Sequence, residues 1–278
     1  MKLQAFLPLV TYADPNSDAI AANAVAVAAK FGADLHALAI NADIPPLSNS
    51  LTRFLLDVPE MIRAAETRGQ ERGEHLLAEV TKSATLAGVD VTTNAVATPL
   101  TLLGDTAATH ARYFDLSLVG WEAGNSTSRM TAEAVIFGSG RPALLLPEFW
   151  KVDSMDHVAI AWDGSRVAAR AVADAGPFLQ RASRISILTV FDEKPLKEKD
   201  PGERLAHGLR KRGLSADVLP IRAEDCPIAE TLQQKTIERG GSLLVMGGYG
   251  HSRVRDFVLG GATDGVLGDL LLPVLFSH

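Results

Sequence analysis

The chain has 278 residues, of which 47% are hydrophobic and 22% charged, a balance that is ordinary for a globular protein of one large or two medium domains. Its net charge of -6 argues against a dedicated nucleic-acid binder, because such proteins normally present a basic face. A single cysteine (Cys226), no apolar stretch of about 18 residues and no signal-peptide pattern at the N-terminus together predict a cytoplasmic protein with no membrane partner.

The predicted elements follow one plan that occurs twice along the chain. Residues 5–41 align with residues 155–191 without a gap, and both segments run from an apolar strand through a polar turn and an Ala- and Val-rich helix to a second apolar strand. A long helix is expected over 58–87 in the first half only. Each half ends in a short apolar strand that begins at a proline, Pro142 or Pro273.

The second half shows the alternation of strands and helices most clearly. Strands are expected at 157–162, 184–190, 215–219, 242–246 and 273–276, and helices at 165–180, 203–212, 227–239 and 262–270. Such alternation predicts βαβ units, and fully apolar strands are typical of a parallel sheet covered on both faces. The sequence therefore predicts an α/β protein of two tandem, doubly wound parallel-sheet domains, at 1–149 and 150–278.

A glycine-rich loop is the most informative segment of the chain. Gly247 and Gly250 follow a buried strand, and Gly260 and Gly261 come directly before the last helix. Glycines let a phosphate approach the backbone closely, and the free N–H groups at the start of a helix favour an anion. The loop therefore predicts a phosphate site, although its spacing is neither the Walker A loop nor the dinucleotide GxGxxG motif.

Two further strands are expected to end beside this loop. In a doubly wound sheet the ligand crevice lies beyond the carboxyl ends of the strands. Asp163 follows the first strand of the second half and Val190 ends the second strand, so we expect both to lie near the loop. Thr263 would add a hydroxyl donor at the far end of the loop.

The loop and the repeated plan resemble the universal stress protein (UspA) family, and the resemblance covers nearly the whole chain as two tandem copies. Nucleotide-binding members carry G-x-x-G, nine residues and then G-[S/T]. Gly247, Gly250 and Gly260 match this spacing, whereas Gly261 stands where Ser or Thr is usual, which removes one hydroxyl and keeps the backbone N–H. The resemblance implies an adenine nucleotide alpha hydrolase-like fold that binds ATP, AMP or ADP, with or without Mg²⁺.

The resemblance also implies roles for residues at the edge of the sheet. Asp163 matches the aspartate near the adenosine part of the nucleotide, and Val190 matches the residue whose backbone meets adenine. The residues expected to bind the nucleotide are Ala161, Trp162, Asp163, Val190, Met246, Gly247, Gly250, His251, Gly260, Gly261, Ala262 and Thr263. His251 either reaches a phosphate or is a solvent-facing turn residue. No metal-ligand spacing and no nucleophile motif points to a metal site or a catalytic residue.

The first half lacks the residues that carry this site. Gly120 and Gly124 follow the matching strand, but nothing resembling Gly260 and Gly261 lies nine residues after Gly124. Ala13 falls at the position of Asp163. We therefore expect a degenerate first domain that is structural or binds something else.

Three functions stay open on this sequence. The chain is a non-catalytic adenine-nucleotide-binding regulator of the stress response, a slow ATPase on the same site, or a nucleotide-free interaction module. The resemblance implies an intramolecular pseudo-dimer of the two halves through edge strands near Pro142 and Pro273. Association of two chains and an unidentified protein partner stay open as well.

Overall fold

The structure is a computed structural model that describes residues 2–45, 58–152, 154–191, 200–222, 226–248 and 261–278. The chain divides into two compact units, Met1–Ser139 and Gly140–His278. In each unit strands alternate with helices along the chain. None of the described helices combines the length and the apolar character that a membrane crossing needs.

The first unit is built on four strands with parallel pairing. Its strands are β1 (Gln4–Val10), β2 (Asp34–Asp43), β3 (Val91–Pro99) and β4 (Leu116–Trp121), and its helices are α1 (Ala19–Phe31), α2 (Val58–Ala87), α3 (Leu103–Ala111) and α4 (Ser126–Gly138). The strand order is β3-β2-β1-β4, and β1 pairs in parallel with both β2 and β4. The long helix predicted over 58–87 is confirmed as α2.

The second unit repeats the plan with six strands. Its strands are β5 (Ala143–Pro147), β6 (His157–Ala161), β7 (Arg184–Val190), β8 (Ala216–Ile221), β9 (Leu243–Gly247) and β10 (Val274–Ser277), and its helices are α5 (Arg166–Asp174), α6 (Gly176–Leu179), α7 (Pro201–Lys211), α8 (Ile228–Glu238) and α9 (Ala262–Gly268). The strand order is β5-β10-β9-β6-β7-β8. All of these pairs are parallel except β5–β10, which is antiparallel.

The predicted α/β class, with two tandem and mostly parallel doubly wound sheets, is confirmed. One helix of the second unit differs from its prediction. The segment 165–180 forms two helices instead of one, because Pro177 lacks an N–H and begins a new helix, α6, after Ala175.

The units divide before β5, whereas the predicted domain boundary at residue 149 lies after it. The reason is pairing: Leu145 and Leu144 of β5 lie opposite Val274 and Leu275 of β10. These strands are fully buried and apolar, so β5 contributes its core residues to the second unit.

Two histidines of the sheets have lowered pKa values, His36 at a half-buried position and His157 at a buried one. His36 on β2 stacks on Phe114, with ring centroids 5.1 Å apart, and burial lowers its pKa, to which neighbouring His110 adds. His157 on β6 shares a 2.9 Å hydrogen bond with the hydroxyl of Ser186. Burial lowers the pKa of His157 as well, with a smaller contribution from Arg184.

These lowered pKa values predict a stability that falls in mild acid. The folded state binds fewer protons than the unfolded state, so stability is complete above the ordinary histidine pKa of about 6.5 and is lost as pH falls toward the lowered folded values. Urea unfolding midpoints measured from pH 8 downward should decrease through this window. His36→Phe, which stacks on the same rings without titrating, should reduce the slope, and the exposed His207→Gln should not. An unchanged slope in His36→Phe would contradict this account.

Candidate functional site

The carboxyl ends of three strands of the second unit lie at one edge of its sheet. β6 pairs in parallel with β9 on one side and with β7 on the other. Asp163 lies just after β6, Val190 ends β7 and Gly247 ends β9. Because parallel strands end at the same edge, the structure brings these three predicted residues together.

Asp163 begins the turn that leads into α5. Its Oδ1 accepts a 2.8 Å hydrogen bond from the N–H of Ser165, and Gly164 between them has a φ of 75°. The hydroxyl of Ser165 then accepts a hydrogen bond from the N–H of Ala168 and caps α5. One carboxylate oxygen of Asp163 is thus used to shape the turn, and the residue as a whole is exposed.

Trp162 is anchored to the protein. Its backbone N–H donates to the carbonyl of Leu188, and its indole N–H donates over 3.0 Å to the carbonyl of Pro201 at the start of α7. Ala161 and Trp162 are both half-buried. Since its indole N–H is already used, Trp162 offers a ligand its ring face or edge and no side-chain donor.

Gly247 is required by packing. A Cβ at this position would lie 2.6 Å from the backbone carbonyl carbon of Val167 and 2.7 Å from the backbone nitrogen of Ala168. The neighbouring Met246 side chain is only 4% exposed, so it belongs to the core. The sequence pattern suggested a turn for a phosphate at Gly247, and the structure adds that α5 approaches β9 too closely for any side chain there.

Gly261 is the N-cap residue of α9, and its backbone angles are ones that any residue adopts. Its φ of -73° and ψ of 152° are ordinary, and among the described residues no side chain caps the helix and none lies within 4 Å of an added Cβ. A serine or threonine would therefore fit at this position without strain. Ala262 begins α9, and the side chain of Thr263 is buried, with 5% exposed.

Gly250, His251 and Gly260 lie outside the described residues, so their predicted roles stay predictions. The described ends of the loop are Gly247 with Gly248, whose N–H donates to the carbonyl of Ser277, and Gly261. The described part of the chain holds no group of three or more His, Cys, Asp or Glu side chains arranged for a metal ion.

A buried carboxylate occupies the corresponding edge of the first unit. Glu122 follows β4 directly and is only 8% exposed. Its oxygens accept hydrogen bonds from the side-chain amide of Asn16, at 3.2 and 3.4 Å, and from the N–H of Ser17, at 3.1 Å. The same Asn16 amide nitrogen would lie 3.2 Å from a Cβ at Gly120, the penultimate residue of the matching strand β4.

Helix α2 packs against this edge through polar contacts. Arg72 donates to the carbonyl of Asn16 and forms a 2.7 Å ion pair with Asp18. His75 also contacts Asp18, and its hydrogen bond, followed by that of Arg72, lowers the pKa of this carboxyl group. A Cβ at Gly73 would lie 2.8 Å from the Asn41 side-chain oxygen, so α2 runs directly across the end of β2.

Sequence reasoning missed this cluster. Glu122 and Asn16 are 106 residues apart, and neither belongs to a recognised motif. The available signal was the pair Gly69 and Gly73, four residues apart in an otherwise polar helix, because such a pair indicates close approach to other backbone.

Comparisons with known proteins find similar structures but no similar sequences. No protein-family model matches the sequence, and no curated protein is significantly similar to it. A universal stress protein from Archaeoglobus fulgidus DSM 4304 matches with a TM-score of 0.70 and 17% identity, over 99% of this chain and 98% of that one. The chain has the fold of tandem universal stress proteins.

Two further structures agree with this fold. A protein from Pseudomonas aeruginosa UCBPP-PA14, provisionally assigned as a universal stress protein, matches with a TM-score of 0.54 and 14% identity over 99% of this chain and 93% of its own. A protein of unknown function from Pseudomonas aeruginosa PAO1 matches with a TM-score of 0.52 and 15% identity, covering 99% of this chain and 92% of its own. The predicted resemblance to the universal stress protein fold in two tandem copies is confirmed.

The two described ends of the glycine loop should respond oppositely to an added side chain. Gly247→Ala forces β9 and α5 apart and should lower the free energy of unfolding by about 1–3 kcal/mol. Gly261→Ser adds a cap in open space and should raise it by about a few tenths of a kcal/mol. Urea unfolding without nucleotide measures both changes. Gly208→Ala, where an added Cβ also meets open space, is the control for Gly247→Ala, and equal effects would contradict the packing argument.

Proposed function

We propose that the second unit binds one adenine nucleotide at the carboxyl edge of β6, β7 and β9 and acts as a non-catalytic regulator in a stress response. The observation that carries the proposal is the convergence of Asp163, Val190 and Gly247 at that edge, within the universal stress protein fold. A doubly wound sheet binds its ligands in this crevice. We propose that the protein acts in the cytoplasm, and a single cysteine, Cys226, supports this because it fits a reducing compartment.

The described residues suit the two ends of a nucleotide differently. Asp163 keeps Oδ2 for a ribose hydroxyl because its Oδ1 is held by Ser165, and the backbone of Val190 lies beside it for the adenine ring. The phosphates would meet backbone N–H groups of the glycine loop, whose described ends are Gly247 and Gly261. Mg²⁺ fits as a companion of the phosphates, because it is usually bound by one or two carboxylates together with phosphate oxygens and waters.

The geometry favours binding over turnover. A general base must reach the proton that it removes, and it needs a free acceptor at the reacting phosphate. The Asp163 carboxylate shapes the turn before α5 and lies at the adenosine end of the proposed site. We therefore assign Asp163 to recognition, and a slow ATPase is the weaker candidate.

We infer that the first unit binds no nucleotide. The Glu122 carboxylate already accepts the N–H of Ser17 at the edge where a phosphate would need such donors. A phosphate at this edge would have to compete with the Glu122 side chain for the N–H of Ser17. The ion pair between Arg72 and Asp18 also holds α2 across this edge.

Calorimetric titration with Mg-ATP tests the proposal on the full chain. The wild type should bind one equivalent, and Asp163→Ala should weaken binding by roughly 10–100-fold, since a hydrogen bond to a charged group contributes about 1.5–3 kcal/mol. Gly261→Ser should tighten binding because it supplies the hydroxyl that the family uses. Asp217→Ala, an exposed carboxylate near the opposite end of β8, is the matched control and should bind as the wild type does.

The proposal fails if the wild type binds no adenine nucleotide, which favours the interaction module. It also fails if Asp163→Ala and Asp217→Ala bind equally well. Steady release of phosphate that Asp163→Ala abolishes would replace the regulator with the slow ATPase.

A further inference from the structure

Strand β3 forms an edge of the sheet in the first unit and is open on both faces. Among the residues that the structure describes, its strand neighbour is β2 alone, and the parallel pairing runs from Val91 to Pro99. Thr92, Thr93, Asn94 and Ala95 in the middle of the strand are all exposed. Since successive side chains point to opposite faces, this run of exposed residues leaves both faces of β3 uncovered.

The unpaired backbone groups of β3 can be assigned from its register. Leu35 of β2 is paired with Val91 and donates its N–H to the carbonyl of Asp90 over 2.9 Å. Along a strand, alternate residues direct both N–H and C=O to the same side, so the even-numbered residues face β2. The residues whose N–H and C=O face away from the sheet are Val91, Thr93, Ala95 and Ala97.

Among the residues that the structure describes, neither a charge nor a proline protects the middle of this edge, since the proline of β3 is its last residue, Pro99. Between Val91 and Thr98 the strand has no charged residue and no proline, and it is rich in valine and threonine. Proteins normally shield edge strands with charges, prolines or short length, because an open edge pairs with other strands. At the opposite end of the strand order in the second unit, β8 is shorter and carries both Asp217 and Pro220.

We propose that β3 is a homodimerisation strand, through which two copies of the chain pair antiparallel about a two-fold axis at Asn94. In this register Val91 of one copy lies opposite Ala97 of the other, and Thr93 lies opposite Ala95. Every outward N–H and C=O is then used, giving about eight hydrogen bonds between the copies. Thr92 lies opposite Val96, a β-branched pair of the kind that stabilises sheets.

The second copy is the occupant that the edge fits best. Two-fold pairing sets two copies of the same strand against each other, so like charges at or near the axis would repel, and β3 carries no charged residue. A site that captures a foreign extended peptide gains its specificity from pockets for alternate side chains. The exposed run Thr92–Ala95 lies open on both faces and offers no such pockets. This inference does not depend on nucleotide binding.

Sedimentation velocity of the full chain without nucleotide tests the proposal. The wild type should sediment as a species with twice the 29.6 kDa mass of the chain. Ala95→Pro removes an outward N–H and leaves the bonds to β2 intact, so it should raise the dissociation constant by about tenfold or more. Asn94→Lys should act similarly, because it sets two ammonium groups against each other at the axis.

Mixing two variants of opposite charge distinguishes a loss of pairing from a loss of folding. Asn94→Lys and Asn94→Asp should each sediment as single chains, and an equimolar mixture of the two should sediment as a heterodimer. Asn94→Ser is the neutral control and should remain dimeric, and circular dichroism checks that each variant is folded. The proposal is overturned if the wild type sediments as a single chain at all concentrations. It is equally overturned if folded Ala95→Pro stays fully dimeric, or if the charged mixture does not associate.

Discussion

The first helix of each unit packs closely against a glycine near the end of a neighbouring strand, so that a side chain is excluded at Gly247 and has little room at Gly120. At the end of β9, a Cβ on Gly247 would lie 2.6 Å from the backbone of Val167 in α5. In the first unit, a Cβ on Gly120 would lie 3.1 Å from Ile20 in α1. This close approach fixes the position of the strand end and of the turn that enters the helix. The carboxyl edge of each sheet is therefore rigidly defined, and its chemistry depends on the residues that follow the glycine.

The two units use this shared constraint differently. After Gly120 the chain continues with a buried Trp121 and then Glu122, whose carboxylate bonds the N–H of Ser17. The edge of the first unit is thus satisfied internally by a carboxyl group of its own. After Gly247 the chain continues into the glycine loop, and exposed Asp163 faces the same edge. An edge already bonded by its own carboxyl group in one unit, and an open edge in the other, are the physical basis for expecting one nucleotide site per chain.

The sequence was sufficient for the fold because its signals are local. Apolar strands, the long polar helix α2 and the repeated plan all depend on neighbouring residues, and each was confirmed. The carboxylate cluster was not predictable in the same way, because Glu122 meets Asn16 across 106 residues and only the fold joins them. Gly247 shows a different limit, since its motif pointed to a ligand while the structure shows a packing requirement. The roles of Gly250, His251 and Gly260 stay predictions, because these residues lie outside the described part of the chain.

The central claim is that the open edge of the second unit holds one adenine nucleotide and the closed edge of the first unit holds none. The most direct test is to denature freshly purified protein and to quantify the released nucleotide per chain by mass spectrometry. The account predicts one adenine nucleotide per chain from the wild type and none from Asp163→Ala. Two per chain would contradict the closure of the first unit by Glu122. None, with no increase in Tm on adding Mg-ATP, would contradict nucleotide binding itself.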